Sequence, residues 1–196
     1  LETGELDIRW FGPTSDGSPS YYLDYEGKAK NSTVWKEIFC VSKEDANPLE
    51  YFEFYEIDPD LDGLFYNGLY DKLTRAAWIA DNWIDYVNRY NLSSYYVKGE
   101  AQKAIWEVMG LMGKQWLGSD EAGIDDDDIY NDSLNIDSTS AAINWYYAHS
   151  PFDDSRNNYQ DYQDYLVPAH TPEPATMLLF GSGLIGLATL RKKFLK

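Results

Sequence analysis

The last stretch of this chain limits the fold more than any other feature. Met177 to Leu190 runs without a single charge and without a polar face, and Arg191, Lys192 and Lys193 follow at once. A soluble domain has nowhere to put such a segment, because a helix apolar all round must be buried on every side. At roughly 15 residues it is short for a membrane span, which usually takes about 20. Snorkelling by the basic cluster or local thinning of the bilayer would make up the difference. Basic residues favour the cytoplasmic side, so everything before Pro172 is expected outside the inner membrane. The folded domain is therefore expected to occupy residues 1–168, with a linker and tail from 169 to 196.

With the tail set aside, the charge balance sharpens. The chain carries 33 acids and 16 Lys or Arg, a formal net charge of -17. The segment from Thr171 holds one acid, Glu173, and four bases, leaving 32 acids against 12 bases, a net of -20, on the rest. Such a body repels nucleic acid and anionic lipid, so neither is an expected partner. Seventeen Tyr and seven Trp supply enough ring material for a packed core and argue against disorder.

The tail pattern also carries a resemblance. Pro172-Glu173-Pro174, then Ala-Thr-Met-Leu-Leu, a glycine-containing apolar stretch and a basic end resemble the PEP-CTERM sorting tail. The segment before it, Gln163 to Val167, is similar to the short strand that often leads into such tails. The resemblance implies export in a Gram-negative envelope, transient anchoring in the inner membrane through a transmembrane tail, and processing near Pro172-Glu173-Pro174 by an exosortase. It further implies an outer-surface or matrix location, in association with exopolysaccharide or biofilm. The tail is then an address and stands outside fold reasoning. Leu1 to Trp10 has acids and no apolar h-region, so the leader that export needs is expected to have been removed or to lie outside this sequence.

Along the body the hydrophobic period changes once. Leu6, Ile8 and Trp10 alternate with Asp7 and Arg9, and Tyr21, Leu23 and Tyr25 alternate with Asp24 and Glu26, as in half-buried strands. Thr33 to Val41 ends in an apolar run, and Tyr51 to Ile57 is an aromatic strand. Then Leu69, Leu73, Ala76, Ala77, Ala80, Trp83, Ile84 and Val87 fall at helical spacing, which predicts a helix over Gly68 to Tyr90. A second helix is expected from Gly99, with Gln102 in its first turn. A polar loop is expected from Gly118 to Asp137, including Asp125 to Asp128. A third helix is expected after a cap at Asp137 or Ser138, carrying Ala141, Ala142, Trp145 and Ala148. A strand around Tyr162 to Val167 closes the domain. The expected class is α+β: an aromatic antiparallel sheet, sandwich or barrel-like, with a helical insertion.

One cysteine is present, which excludes an internal disulfide and any cysteine-rich zinc site. Free cysteines are commonly buried core thiols, and a chemical role needs a partner. Cys40 sits in Ile38-Phe39-Cys40-Val41, and Gln102 in Ala101-Gln102-Lys103-Ala104-Ile105-Trp106-Glu107. A thiolate can attack a side-chain carboxamide, expel ammonia and leave a thioester, given a dry, positioned pair with donors at the developing oxyanion. These two segments, with Arg75-Ala76-Ala77-Trp78-Ile79 on a helix between them, resemble the paired motifs of bacterial thioester domains. The resemblance spans about Thr33 to Met112, and the Cys-to-Gln interval is shorter than in the better-known Gram-positive members. It implies an adhesin with a Cys40–Gln102 crosslink that attaches covalently to amines or hydroxyls on a host or neighbouring-cell surface. That is a single turnover, not catalysis, and needs no cofactor. Trp106 as a shield for the bond, with Tyr51 or Tyr55 as donors, are candidate supporters.

Other readings stay open at this point. A Cys–His enzyme would pair Cys40 with His149, since His170 lies in the linker. Paired acids for glycoside hydrolysis are too easily found by chance among so many carboxylates. The stronger rival is a non-covalent exopolysaccharide or biofilm matrix protein whose aromatic rings stack on sugars, although ring alternation also simply fills a sheet's core. Asp58, Asp60 and Asp62 before Gly63 match the first half of a calcium loop. Its twelfth position is Leu69 where a bidentate Glu belongs, so an acidic turn is the expected reading and no metal site is expected.

Overall fold

The computed structural model describes residues 2–11, 24–30, 32–42, 49–111, 126–135, 139–151 and 163–169. The described residues hold six strands: β1 (Glu2–Phe11), β2 (Asp24–Ala29), β3 (Lys36–Cys40), β4 (Leu49–Glu56), β5 (Trp145–His149) and β6 (Tyr165–Pro168). They close into a barrel in the order β1-β2-β3-β6-β5-β4, every pairing antiparallel. Between β4 and β5 come α1 (Leu61–Leu64), α2 (Leu69–Tyr90), α3 (Ser94–Met109), α4 (Asp126–Leu134) and α5 (Thr139–Ala142). The antiparallel aromatic sheet with a helical insertion is thus observed, in its closed form. The transmembrane tail lies outside the described residues, and among those residues no helix is long and apolar enough to cross a membrane.

The period of two along each strand sorts side chains between two cores. Inward rows bring Leu6, Ile8, Tyr25, Ile38, Cys40, Phe52, Ala148, Tyr165 and Val167 into one cluster inside the barrel. Outward residues on one side, Phe39, Val41, Trp145, Tyr147 and Leu166, join a larger cluster with the helices. Helix α2 supplies Leu69, Leu73, Ala76, Ala77 and Ile79 to that layer, and α3 supplies Val97, Ala101, Ala104, Ile105 and Val108. On another outward face the β1–β2 ladder is polar, with Lys28 bonded to Asp7 at 2.5 Å and Arg9 paired with Glu26.

Three expectations need correction. Trp145 and Ala148 belong to strand β5, and the third helix stops at Ala142. Ala141, Ala142, Trp145 and Ala148 do fit a helical spacing, but Trp145 and Tyr147 face the helices while Tyr146 and Ala148 face the barrel interior. Of the polar loop expected over 118–137, residues 126–134 instead form α4, and 118–125 and 136–137 lie outside the described residues. Finally, α3 begins at Ser94, five residues before Gly99, so Gln102 lies mid-helix. Its far end is set by Gly110, which takes the left-handed conformation (φ 77°) that closes a helix.

Candidate functional site

Helix α3 lies along β3 through residues spaced four apart, which share one helix face. Lys98 pairs with Glu37 on β3 at 2.7 Å, and the Trp83 indole N–H of α2 donates to the same carboxylate at 3.2 Å. One turn on, Gln102 meets Cys40. Another turn on, Trp106 reaches the Cys40 sulfur. The contact between the two segments thus follows from docking a straight stripe of α3 on a short strand.

The Cys40–Gln102 geometry is two-pronged. The Cys40 backbone N–H donates to Gln102 Oε1 at 3.0 Å, and Gln102 Nε2 donates to the Cys40 carbonyl at 2.8 Å. A backbone N–H can only donate and a carbonyl can only accept, so the orientation of the carboxamide is fixed by its partner. On one side of β3, Val41 N–H reaches the Asp164 carbonyl of the β6 segment at 2.9 Å. The Cys40 N–H and C=O point to the other side, where the described pairing of β2 with β3 ends at Tyr25 opposite Ile38. Gln102 therefore takes a ladder position that a strand residue would otherwise fill. Cys40 has no exposed surface and Gln102 only 3%.

Around the sulfur the groups are polar but dry. The Trp106 indole N–H donates to Sγ at 3.4 Å, and the thiol contacts the Ser42 carbonyl at 3.1 Å. Burial drives the Tyr25 hydroxyl well above its ordinary pKa, the neighbouring Cys40 adds to the shift, and a hydrogen bond with Gln163 opposes it. Gln163 in turn accepts from the Tyr165 hydroxyl at 2.9 Å. Sequence reasoning singled out Trp106 as a shield. It missed Tyr25, Tyr165 and Gln163, whose inward direction follows only from strand register.

Gln102 does not lie in the first turn of its helix. The unpaired N–H groups of a helix start are eight residues away, at Ser94, and the donor on the carboxamide oxygen is the backbone N–H of Cys40 itself. Tyr51 and Tyr55 do not join the site: Tyr51 is 41% exposed, and Tyr55 donates to Glu53 at 2.7 Å while packing against Phe65 and Tyr147. His149 is also elsewhere. Its side chain belongs to the outward row of β5, with Nδ1 at 3.1 Å from Asp164 and its ring against Phe65, whereas Cys40 faces inward. Asp58 accepts from the Asp60 N–H at 2.9 Å and Asp62 from the Tyr70 N–H at 2.7 Å, so both carboxylates serve the turns that start α1 and α2. Among the described residues no cluster of three or more His, Cys, Asp or Glu is placed to hold a metal ion. Pro172, Glu173, Pro174, Arg191, Lys192 and Lys193 lie outside the described residues.

Comparison with known proteins bears on both parts of the chain. Residues 170–193 match the PEP-CTERM protein-sorting motif. That motif implies export, anchoring at the membrane before cleavage, and processing by an exosortase. The fold is similar to the N-terminal thioester domain of a surface protein from Clostridium perfringens, with a TM-score of 0.52 and 14% sequence identity. The match covers 84% of this chain and 99% of that one. No curated protein matches the sequence.

Proposed function

We propose that the body is a covalent surface adhesin in which Cys40 and Gln102 condense to an internal thioester. The observation that carries this reading is the double hydrogen bond holding the Gln102 carboxamide against Cys40 in a buried setting. In the forming step Sγ attacks Cδ of Gln102. The Cys40 N–H, already on Oε1, stabilises the oxyanion, as a pre-positioned donor does in acyl transfer. The C–N bond breaks, and the thiol proton leaves with the nitrogen as ammonia. Trp106 supports the sulfur with its indole N–H while charge passes through it.

The product stores an electrophile. An amine or hydroxyl on a neighbouring surface attacks the same acyl carbon, the C–S bond breaks, and Cys40 leaves as a thiol after taking up the proton. An amide or ester then fixes the protein to its target, once, without turnover. Host or neighbouring-cell amines and exopolysaccharide hydroxyls are the two target classes, reached after export and exosortase processing. The rival reading, a non-covalent glycan-binding surface, has less support: Tyr25, Phe52, Trp145, Tyr147 and Tyr165 are buried in the two cores, and among the described residues Tyr51, Tyr66 and Tyr96 are the exposed rings. Glycan pull-down with Cys40→Ala separates the two: capture that survives the substitution is non-covalent, and capture lost with it is covalent.

A further inference from the structure

The two ends of the barrel are filled differently. At the Cys40 end Tyr25, Phe52 and Tyr165 pack edge-on and close the interior. At the opposite end the inward rows of β1 and β2 reach Gly4, Gly27 and Ala29, so the side chains that normally plug a small barrel are missing there. A cavity of about 230 Å³ results, walled by Leu6, Ile38, Phe54, Tyr146 and Val167. An engineered apolar cavity of about 150 Å³ holds benzene, so this one has room for a chain of about eight carbons.

Its rim has a distinct charge. On a strongly acidic body, two lysines, Lys28 and Lys36, and one acid, Glu5, line this mouth. Lys28 is held by Asp7 and Lys30 by Glu5. Lys36 stands at the open end of the inward row of β3, lines the cavity, and has no ion pair among the described residues. An ammonium at the mouth of an apolar hole fits an anion with an aliphatic tail. We propose that this mouth binds a medium-chain aliphatic carboxylate, with the chain inside the barrel and the carboxylate at Lys36. The site is independent of the Cys40–Gln102 reading, since it occupies the other end of the barrel.

The test is calorimetric titration of the full chain with octanoate, and with octanol as the uncharged probe. Saturable octanoate binding is expected, with octanol at least several-fold weaker. Gly4→Leu, whose added Cβ meets only the Phe54 ring at an ordinary 3.5 Å, fills the cavity and should weaken octanoate binding more than tenfold. Lys36→Glu, at an exposed strand position, should weaken it several-fold while leaving octanol unchanged. Because both variants keep the apolar tail, binding to the tail would survive Gly4→Leu. Absence of octanoate binding, binding unaffected by Gly4→Leu, or equal affinity for octanol in the unaltered protein would each overturn the proposal. Should Gly4→Leu fail to fold, the Lys36→Glu and octanol arms decide alone.

Discussion

At the scale of single residues, Gln102 is the position on which the site depends. Its carboxamide satisfies a buried N–H and a buried C=O of Cys40 at once. Removing it leaves two polar groups without partners, at about 1–3 kcal/mol each. In a Cys40→Ala background, where no condensation occurs and the carboxamide stays intact, adding Gln102→Ala should therefore lower stability by about 2–6 kcal/mol in a urea melt, whereas a loss under about 1 kcal/mol would mean that water or a neighbour replaces the amide. Trp106 makes a different kind of contribution. Trp106→Phe keeps a ring beside the sulfur and removes the N–H donor, so the fold should persist while thioester formation slows by roughly tenfold, the scale of one modest hydrogen bond. Mass spectrometry over time after refolding reads that rate directly, and an unchanged rate would confine Trp106 to packing.

At the scale of elements, α2 depends on its start. Gly68 supplies the left-handed turn before it (φ 86°), and Asp62 accepts from Tyr70 N–H at the first turn. Asp62→Ala should cost about 1 kcal/mol, as loss of a capping carboxylate does, and added calcium should leave the melting temperature of the unaltered protein where it is. The strand–helix seam answers to alkali. Tyr55 on β4 has its pKa pushed up from 10.0 to about 12 by burial and by its bond to the Glu53 carboxylate. A hydroxyl held protonated in the fold stabilises it fully below pH 10 and loses that contribution as pH rises toward 12. Tyr55→Phe should therefore flatten the fall in stability across that window, and an identical pH profile would show that the seam does not depend on this group.

Much of this element-level order was legible in the sequence. The two-residue alternation of Leu6 and Ile8 and the long helical period from Leu69 to Val87 each encode a face that one core must bury. The failures have physical causes. The stretch before Asn135 reads as a polar loop, yet Asp126–Leu134 is helical, and the helix is fixed by tertiary bonds such as Tyr86 to Asp132 at 2.6 Å. Trp145 sits where two periods agree over four residues, and barrel closure decides between them. Gly99 reads as a boundary because glycine weakens helices, but the packing of Val97 and Ala101 carries the helix through it. Cys40 and Gln102 stand 62 residues apart. No local pattern could have joined them, and only the resemblance of the two motifs did.

At the scale of the whole molecule, a barrel–helix body and a sorting address make one device. The sorting motif over residues 170–193 implies delivery out of the cell. The body, with its fold similar to a surface-protein thioester domain, then carries the reactive group we propose. Burial of the Cys40–Gln102 pair would protect that group from water until a target nucleophile approaches. Condensation of the pair is read from the intact mass of the protein. A mass about 17 Da below the sequence value, the loss of ammonia, is expected. Methylamine should replace the deficit with the adduct mass, and Cys40→Ala should never show it. A mass equal to the sequence value, with Cys40 freely labelled by a thiol reagent after unfolding, would contradict condensation.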